Sequence, residues 1–226
     1  FYRSRKLQNQ SENLKAKSYK MVLAAAREDR PTVAVILMFL AVFLFTLIDS
    51  SAKWLILYGL PAVQVIFARY CGAFLVSILF FIPRGGLNQF VSNNPKLQFS
   101  RAIALLGGTT FNFLALQFLP ITTTIAIFFA MPLVITVLGY FILGEKVGFR
   151  RFAAIFVGFL GVLIIIQPWG EEFHWAMILS VAALFFASSY FILTRLLAGQ
   201  DNNATSQLWS SGVATFAIAP FALQNW

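Results

Sequence analysis

Cysteine and histidine occur once each, as Cys71 and His174, in a chain of 226 residues. One cysteine excludes a disulfide framework. One cysteine with one histidine excludes the common zinc and iron–sulfur ligand sets, so no metal and no cofactor is expected. Charge is scarce too: charged residues make up 11% of the chain, against roughly 25% in an average soluble domain. What is abundant is apolar: 59% of the residues, with 26 Phe and a mean hydropathy of +0.79. That balance excludes a disordered chain and an ordinary soluble domain. It points to an all-α, polytopic transmembrane bundle.

Lipid offers no partner to an unpaired backbone group, so apolar runs of about 20 residues cross it as helices. Seven such runs stand out, at 33–57, 62–82, 101–118, 121–143, 149–167, 173–197 and 206–225. They are continuous, without the period-2 alternation of a membrane β-barrel. The first run is too long for a secretory signal peptide and has no small-residue cleavage site. Pro61, Pro120, Gly85-Gly86 and Asn93-Asn94-Pro95 mark connections.

Lysine and arginine orient the bundle. Eight of them precede the first run, from Arg3 to Arg30. Arg84, Lys96 and Arg101 lie between or at the edges of runs two and three, Lys146, Arg150 and Arg151 follow run four, and Arg195 ends run six. All of these fall on one side, and the opposite side carries Glu171 and Glu172. The positive-inside rule then puts the N-terminus in the cytoplasm, as in a bacterial inner membrane. The basic residues serve topology; a nucleic-acid surface would need a soluble basic face with aromatic platforms, so no nucleic-acid partner is expected. The chain starts at Phe1, Met21 is a plausible native start, and Phe1–Lys20 then reads as either upstream or non-native sequence. The other end stops at Trp226 while still apolar, so both ends look cut.

Runs one to five form a unit, after which run six resembles run one: Leu47-Ile48-Asp49-Ser50-Ser51 aligns with Phe185-Phe186-Ala187-Ser188-Ser189. A five-helix repeat inverts its second copy, the plan of many secondary transporters. The expected organisation is a basic cytoplasmic segment at 1–32, a first repeat at 33–168 and the opening two helices of a second at 173–226, seven spans of an expected ten.

Four further stretches carry a resemblance: Leu119-Pro120-Ile121-Thr122-Thr123-Thr124, Ala130-Met131-Pro132-Leu133, Leu143-Gly144-Glu145-Lys146 and Gly158-Phe159-Leu160-Gly161-Val162. Together they resemble the EamA domain of the drug/metabolite transporter superfamily. There a Pro breaks the fourth helix, an L-G-E-[KR] turn ends it and a G-x-x-G-V helix closes the repeat. The resemblance implies ten helices and transport of small metabolites. Asp49-Ser50-Ser51-Ala52-Lys53 and Gln64-Val65-Ile66-Phe67-Ala68-Arg69 look like the branch of S-adenosylmethionine and riboflavin uptake carriers.

Asp49, Lys53 and Arg69 are the charges that fall well within runs. Each costs about 2.5–3.5 kcal/mol at a helix centre, which favours pairing. Counted from the outer helix ends, Asp49 lies about 12 Å deep and Arg69 about 10 Å, so the two come level. Lys53 is one turn from Asp49, able to share its carboxylate or to snorkel outward. The three form either a buried triad that fixes packing or a substrate or proton site. Two cations over one carboxylate suit a small molecule with an anionic or zwitterionic group.

Trp54 is a candidate cavity wall or an interface anchor. Asn112, Gln117 and Thr122–Thr124 are candidate cavity-lining groups or interhelical hydrogen-bonders. Pro132 is a packing kink or a hinge. Ala154, Gly158 and Gly161 read as close packing, and Glu145 as a clasp with Lys146, Arg150 or Arg151. His174 reads as interfacial and Cys71 as inert packing.

A secondary transporter fits these features. A membrane-embedded enzyme would need a catalytic set, and only one intramembrane carboxylate is present. A retinal receptor would need a lysine in the last run, which has none. No Walker A motif appears. The expected partners are a small-molecule substrate and the bilayer; the sequence leaves oligomeric state and coupling ion open.

Overall fold

The computed structural model describes residues 31–144, 148–167 and 173–224. The predictions on Phe1–Lys20, Met21, Glu145, Lys146, Glu171, Glu172 and Trp226 lie outside the described residues. The helices are α1 (Pro31–Leu57), α2 (Ala62–Gly85), α3 (Pro95–Leu116), α4 (Ile121–Phe128), α5 (Met131–Leu143), α6 (Phe149–Ile166), α7 (Ala176–Leu197) and α8 (Asn203–Gln224), with a 3-10 turn at Leu87–Phe90. Every predicted apolar run is helical, and the described residues contain no strand. Five stretches are long and apolar enough to cross a membrane: Val35–Leu57, α2, α3, Ile121–Leu143 and α7. The protein is therefore an all-α integral membrane protein. That count of five is of the described residues alone. Helix α8 is the more polar one, with Ser206, Gln207, Ser210, Ser211 and Thr215 along it.

The chain divides into two compact units at Leu47–Ile48. In the first unit, residues 31–47 are helical and their large apolar side chains, from Val33 to Leu47, are exposed, as suits a lipid-facing surface. The second unit holds everything from Ile48 onward.

Within that unit, local chemistry sets the helix ends. Gly59, at φ 94°, lets Leu60 N–H reach the Leu55 carbonyl and Gly59 N–H the Ile56 carbonyl, which closes α1 before Pro61. Asn94 accepts from Leu97 N–H with Pro95 next, which starts α3 six residues earlier than expected. Asn202 does the same for α8, accepting from Thr205 N–H at 2.7 Å. The predicted fourth run is broken between Phe128 and Met131, because Pro132 has no N–H and its ring collides with the preceding turn. Gly144, at φ 66°, ends α5 in the left-handed conformation.

Helix α3 is central: α7 packs most extensively on it, and α8 packs on both α2 and α3. A Cβ on Gly108 would sit 3.3 Å from the Ala187 backbone nitrogen, so α3 and α7 cross closely there and even one added carbon would have to push the backbone by a few tenths of an ångström. Gly158 likewise packs against Leu133, joining α6 to α5, whereas Gly161 faces open space. An apolar crevice of about 230 Å³ lies between Ala130, Leu133, Val134, Ile155, Phe159 and Val181.

Candidate functional site

Asp49, Lys53, Arg69, Tyr70 and Phe113 converge from α1, α2 and α3. The field of the Arg69 guanidinium reaches the Asp49 carboxyl group. The two make no direct ion pair among the described residues. Arg69 instead lies over aromatic faces, 5.5 Å from the Phe113 ring centre and 5.8 Å from that of Tyr70. Tyr70 Oη shares a 2.7 Å hydrogen bond with Thr109 Oγ1 and donates to the Leu105 carbonyl at 3.2 Å, which fixes α2 against α3. Beneath these groups lies an apolar cluster that includes Ala52, Ile66, Phe113, Leu116 and Ala214.

Among the described residues Lys53 does not share the Asp49 carboxylate; it extends to the C-terminal end of α3. Its Nζ donates to the Leu116 carbonyl and, at 3.0 Å, to the Leu119 carbonyl. Those carbonyls end α3, where the helix leaves acceptors unpaired and the dipole is negative. This leaves Arg69 as the cation facing Asp49.

Trp54 is 57% exposed and tilts against Tyr58 at 4.6 Å between ring centres. Asn112, Gln117 and Thr123 are half-buried and hold no side-chain hydrogen bond among the described residues. Thr124 is buried and donates to the Ile121 carbonyl of its own helix. Ser188 and Ser189 donate back to Leu184 and Phe185, while Ser50 and Ser51 are exposed. His174 accepts from Ala176 N–H at 3.1 Å and stacks with Phe118 and Trp175, so it caps α7.

A second polar cluster lies at the N-terminal end of α3. Arg101 is 6% exposed. It donates through Nε to Thr194 Oγ1 at 2.8 Å, through Nη1 to Ser210 Oγ at 2.8 Å and the Ser206 carbonyl at 3.1 Å, and through Nη2 to Tyr190 Oη at 2.8 Å. Fully buried Gln98 donates to Asp201 Oδ2 at 2.9 Å and Ser206 Oγ at 3.0 Å. Asp201, in the α7–α8 turn, also accepts from Ser92 Oγ and Asn93 N–H. Partial burial pushes its carboxyl group up, but the hydrogen bonds from Ser92, Gln98 and Asn93 outweigh this and hold it below the usual carboxylate range.

The EamA-like transporter family matches residues 32–167, more than half of the chain. The chain belongs to the EamA-like transporter family. Among curated relatives, it is 30% identical to a riboflavin transporter of Rhizobium johnstonii over 82% of this chain and 61% of the relative. It is 31% identical to a riboflavin transporter of Vibrio cholerae over 87% of this chain and 66% of that one. It is 27% identical to an S-adenosylmethionine uptake transporter of Rickettsia bellii over 81% of this chain and 64% of that one. The chain thus spans less than two thirds of the length of each of these relatives. No solved structure matches it.

In this EamA chain the sequence reasoning singled out Asp49, Lys53 and Arg69 and missed Arg101, Gln98 and Asp201. From sequence alone Arg101 looks like a flanking basic residue, because the apolar stretch of the third run begins at 101. The signal that could have corrected it is Asn94-Pro95, a cap followed by a first-turn proline, which starts the helix before Arg101.

Proposed function

We propose that this chain carries the first five-helix repeat, 33–168, and the opening of an inverted second repeat, 173–226, of a secondary transporter. It moves a small organic metabolite across a bacterial inner membrane by alternating access, with its N-terminus in the cytoplasm. The substrate is of the riboflavin or S-adenosylmethionine kind; of the two, S-adenosylmethionine presents the zwitterionic group that the opposed charges suit. Family membership and the riboflavin and S-adenosylmethionine relatives support the substrate class.

One observation carries the site assignment: Asp49 and Arg69 are within electrostatic reach in the helical core yet form no direct ion pair among the described residues. A pair kept only for packing gains most by closing onto itself. Two opposite charges held apart leave room for a zwitterion between them. Asn112, Gln117 and Thr123, with unbonded polar groups, are candidates to take its neutral edges, and Lys53 positions the end of α3.

Uptake of labelled S-adenosylmethionine and of riboflavin into inside-defined vesicles tests this. Arg69→Ala is expected to abolish uptake, a loss of 10²-fold or more as for a lost charge-assisted contact of about 3 kcal/mol, while membrane insertion stays normal. Undiminished uptake by Arg69→Ala sinks the site assignment. No uptake of either compound by the unaltered protein sinks the substrate class.

A further inference from the structure

The hydrogen bonds that join the chain before residue 120 to the chain after 190 are concentrated at one end of α3. Ser92, Asn93, Gln98 and Arg101 supply donors from the first part, and Tyr190, Thr194, Asp201, Ser206 and Ser210 receive them. Trp209 Nε1 closes the set by donating to the Phe90 carbonyl at 2.9 Å. At the other end of α3 the same two parts meet through rings, Phe118 against His174 and Trp175. Lys53, the polar contact there, stays within the first part.

We propose that Arg101 and Asp201 are gate-positioning residues that latch the cytoplasmic end of the transport path shut. The inference rests on the transporter reading above. The latched state then leaves the opposite end, with Asp49 and Arg69, to receive substrate.

Three features make this a releasable latch and not merely a packed joint. It is built from hydrogen bonds, which water can replace one by one once the helices part, whereas apolar packing has no such substitute. Its buried guanidinium has only neutral partners among the described residues, so no buried ion pair must be torn apart to open it. Gln98 Oε1 is buried with no hydrogen-bond partner among the described residues, an acceptor that opening to water would satisfy. Separation of α3 from α7 and α8 would break the Gln98 and Arg101 bonds together, because α3 carries the two on adjacent turns.

Cysteine accessibility tests it without needing transport. In a Cys71→Ser background, Ala102→Cys reports on the latch and Ala52→Cys on the opposite end; both alanines are buried, at 0% and 3% exposed. A membrane-impermeant maleimide applied from the cytoplasmic side is expected to leave Cys at 102 protected. Adding Arg101→Gln or Asp201→Asn should raise its labelling rate about tenfold, and the milder Ser92→Ala about twofold, with Cys at 52 unmoved. Rapid labelling at 102 before any latch substitution overturns the proposal. So does no change on Asp201→Asn and Ser92→Ala, and so does an equal rise at 52 and 102, which would mark general loss of structure. Expected labelling without uptake of any tested compound would sustain the latch and fail the transport reading. Uptake with unchanged labelling would do the reverse.

Discussion

At its N-terminal end α3 is held by a buried guanidinium, a glutamine and a carboxylate reached across about 100 residues of chain. At its C-terminal end it is held by apolar packing around Phe113 and Leu116 and by one ammonium on its last carbonyls. Energetics separate the two. Interhelical hydrogen bonds in membranes average about 0.6 kcal/mol, so the four of Arg101 return about 2.4 kcal/mol. A charge at a helix centre costs about 2.5–3.5 kcal/mol, so that end is close to break-even. At the C-terminal end the Lys53 ammonium carries a cost of its own, offset by a helix dipole worth about 0.3–2 kcal/mol and backed by the dispersion of the apolar cluster. One end is poised and the other is anchored.

The largest effect should come from a change that breaks the comparison by disturbing both ends at once. Gly108→Leu places a side chain where a Cβ alone is 3.3 Å from the Ala187 backbone, which cannot retreat without moving α7. Overpacking of this kind costs about 1–3 kcal/mol, which should lower the unfolding temperature in detergent by about 2–12 °C. Tryptophan fluorescence during a thermal ramp measures it. An unchanged midpoint would mean that the α3–α7 crossing is not what holds the ends in register.

The next change sharpens the comparison by acting at the anchored end alone. Lys53→Met keeps the apolar stem and removes the ammonium from the Leu116 and Leu119 carbonyls. The expected loss is about 1–2 kcal/mol, again read as a thermal midpoint, with Lys53→Arg recovering part of it. If Lys53→Met were as stable as the parent but Lys53→Ala were not, the stem and not the charge would be the anchor.

How much of this could be read beforehand follows the same division. Residues whose meaning is local were readable. The apolar runs became helices, Pro132 broke one, and Asp49 and Arg69 stood out because a charge inside an apolar run is expensive. Lys53 was found but given the wrong partner, since nothing in its own helix points to the carbonyls of residues 116 and 119. The N-terminal cluster was invisible for a further reason. Gln98 and Asp201 are 103 residues apart and meet only through the packing of α3 with α7 and α8. A flanking arginine and a buried one look alike when basic residues are counted for topology.

The smallest predicted effect sharpens the poised end. The Asp201 carboxyl group is held below its ordinary range in the folded protein. A depressed value means that its contribution is fully present above the unfolded-chain value, near about 3.9, and is lost as the pH falls through the lower folded value. The latch should therefore be indifferent to pH across the neutral and mildly acidic range. Labelling of Cys at 102, normalised at each pH to the same cysteine in denatured protein, should change by less than about twofold between about pH 8 and pH 5. The normalisation matters because the thiolate that reacts is itself scarcer in acid. A steep rise in normalised labelling near pH 6 would show that Asp201 protonates far too easily for a carboxylate receiving three hydrogen bonds. It would place the hold on the poised end elsewhere, with Arg101 and its neutral partners carrying it alone.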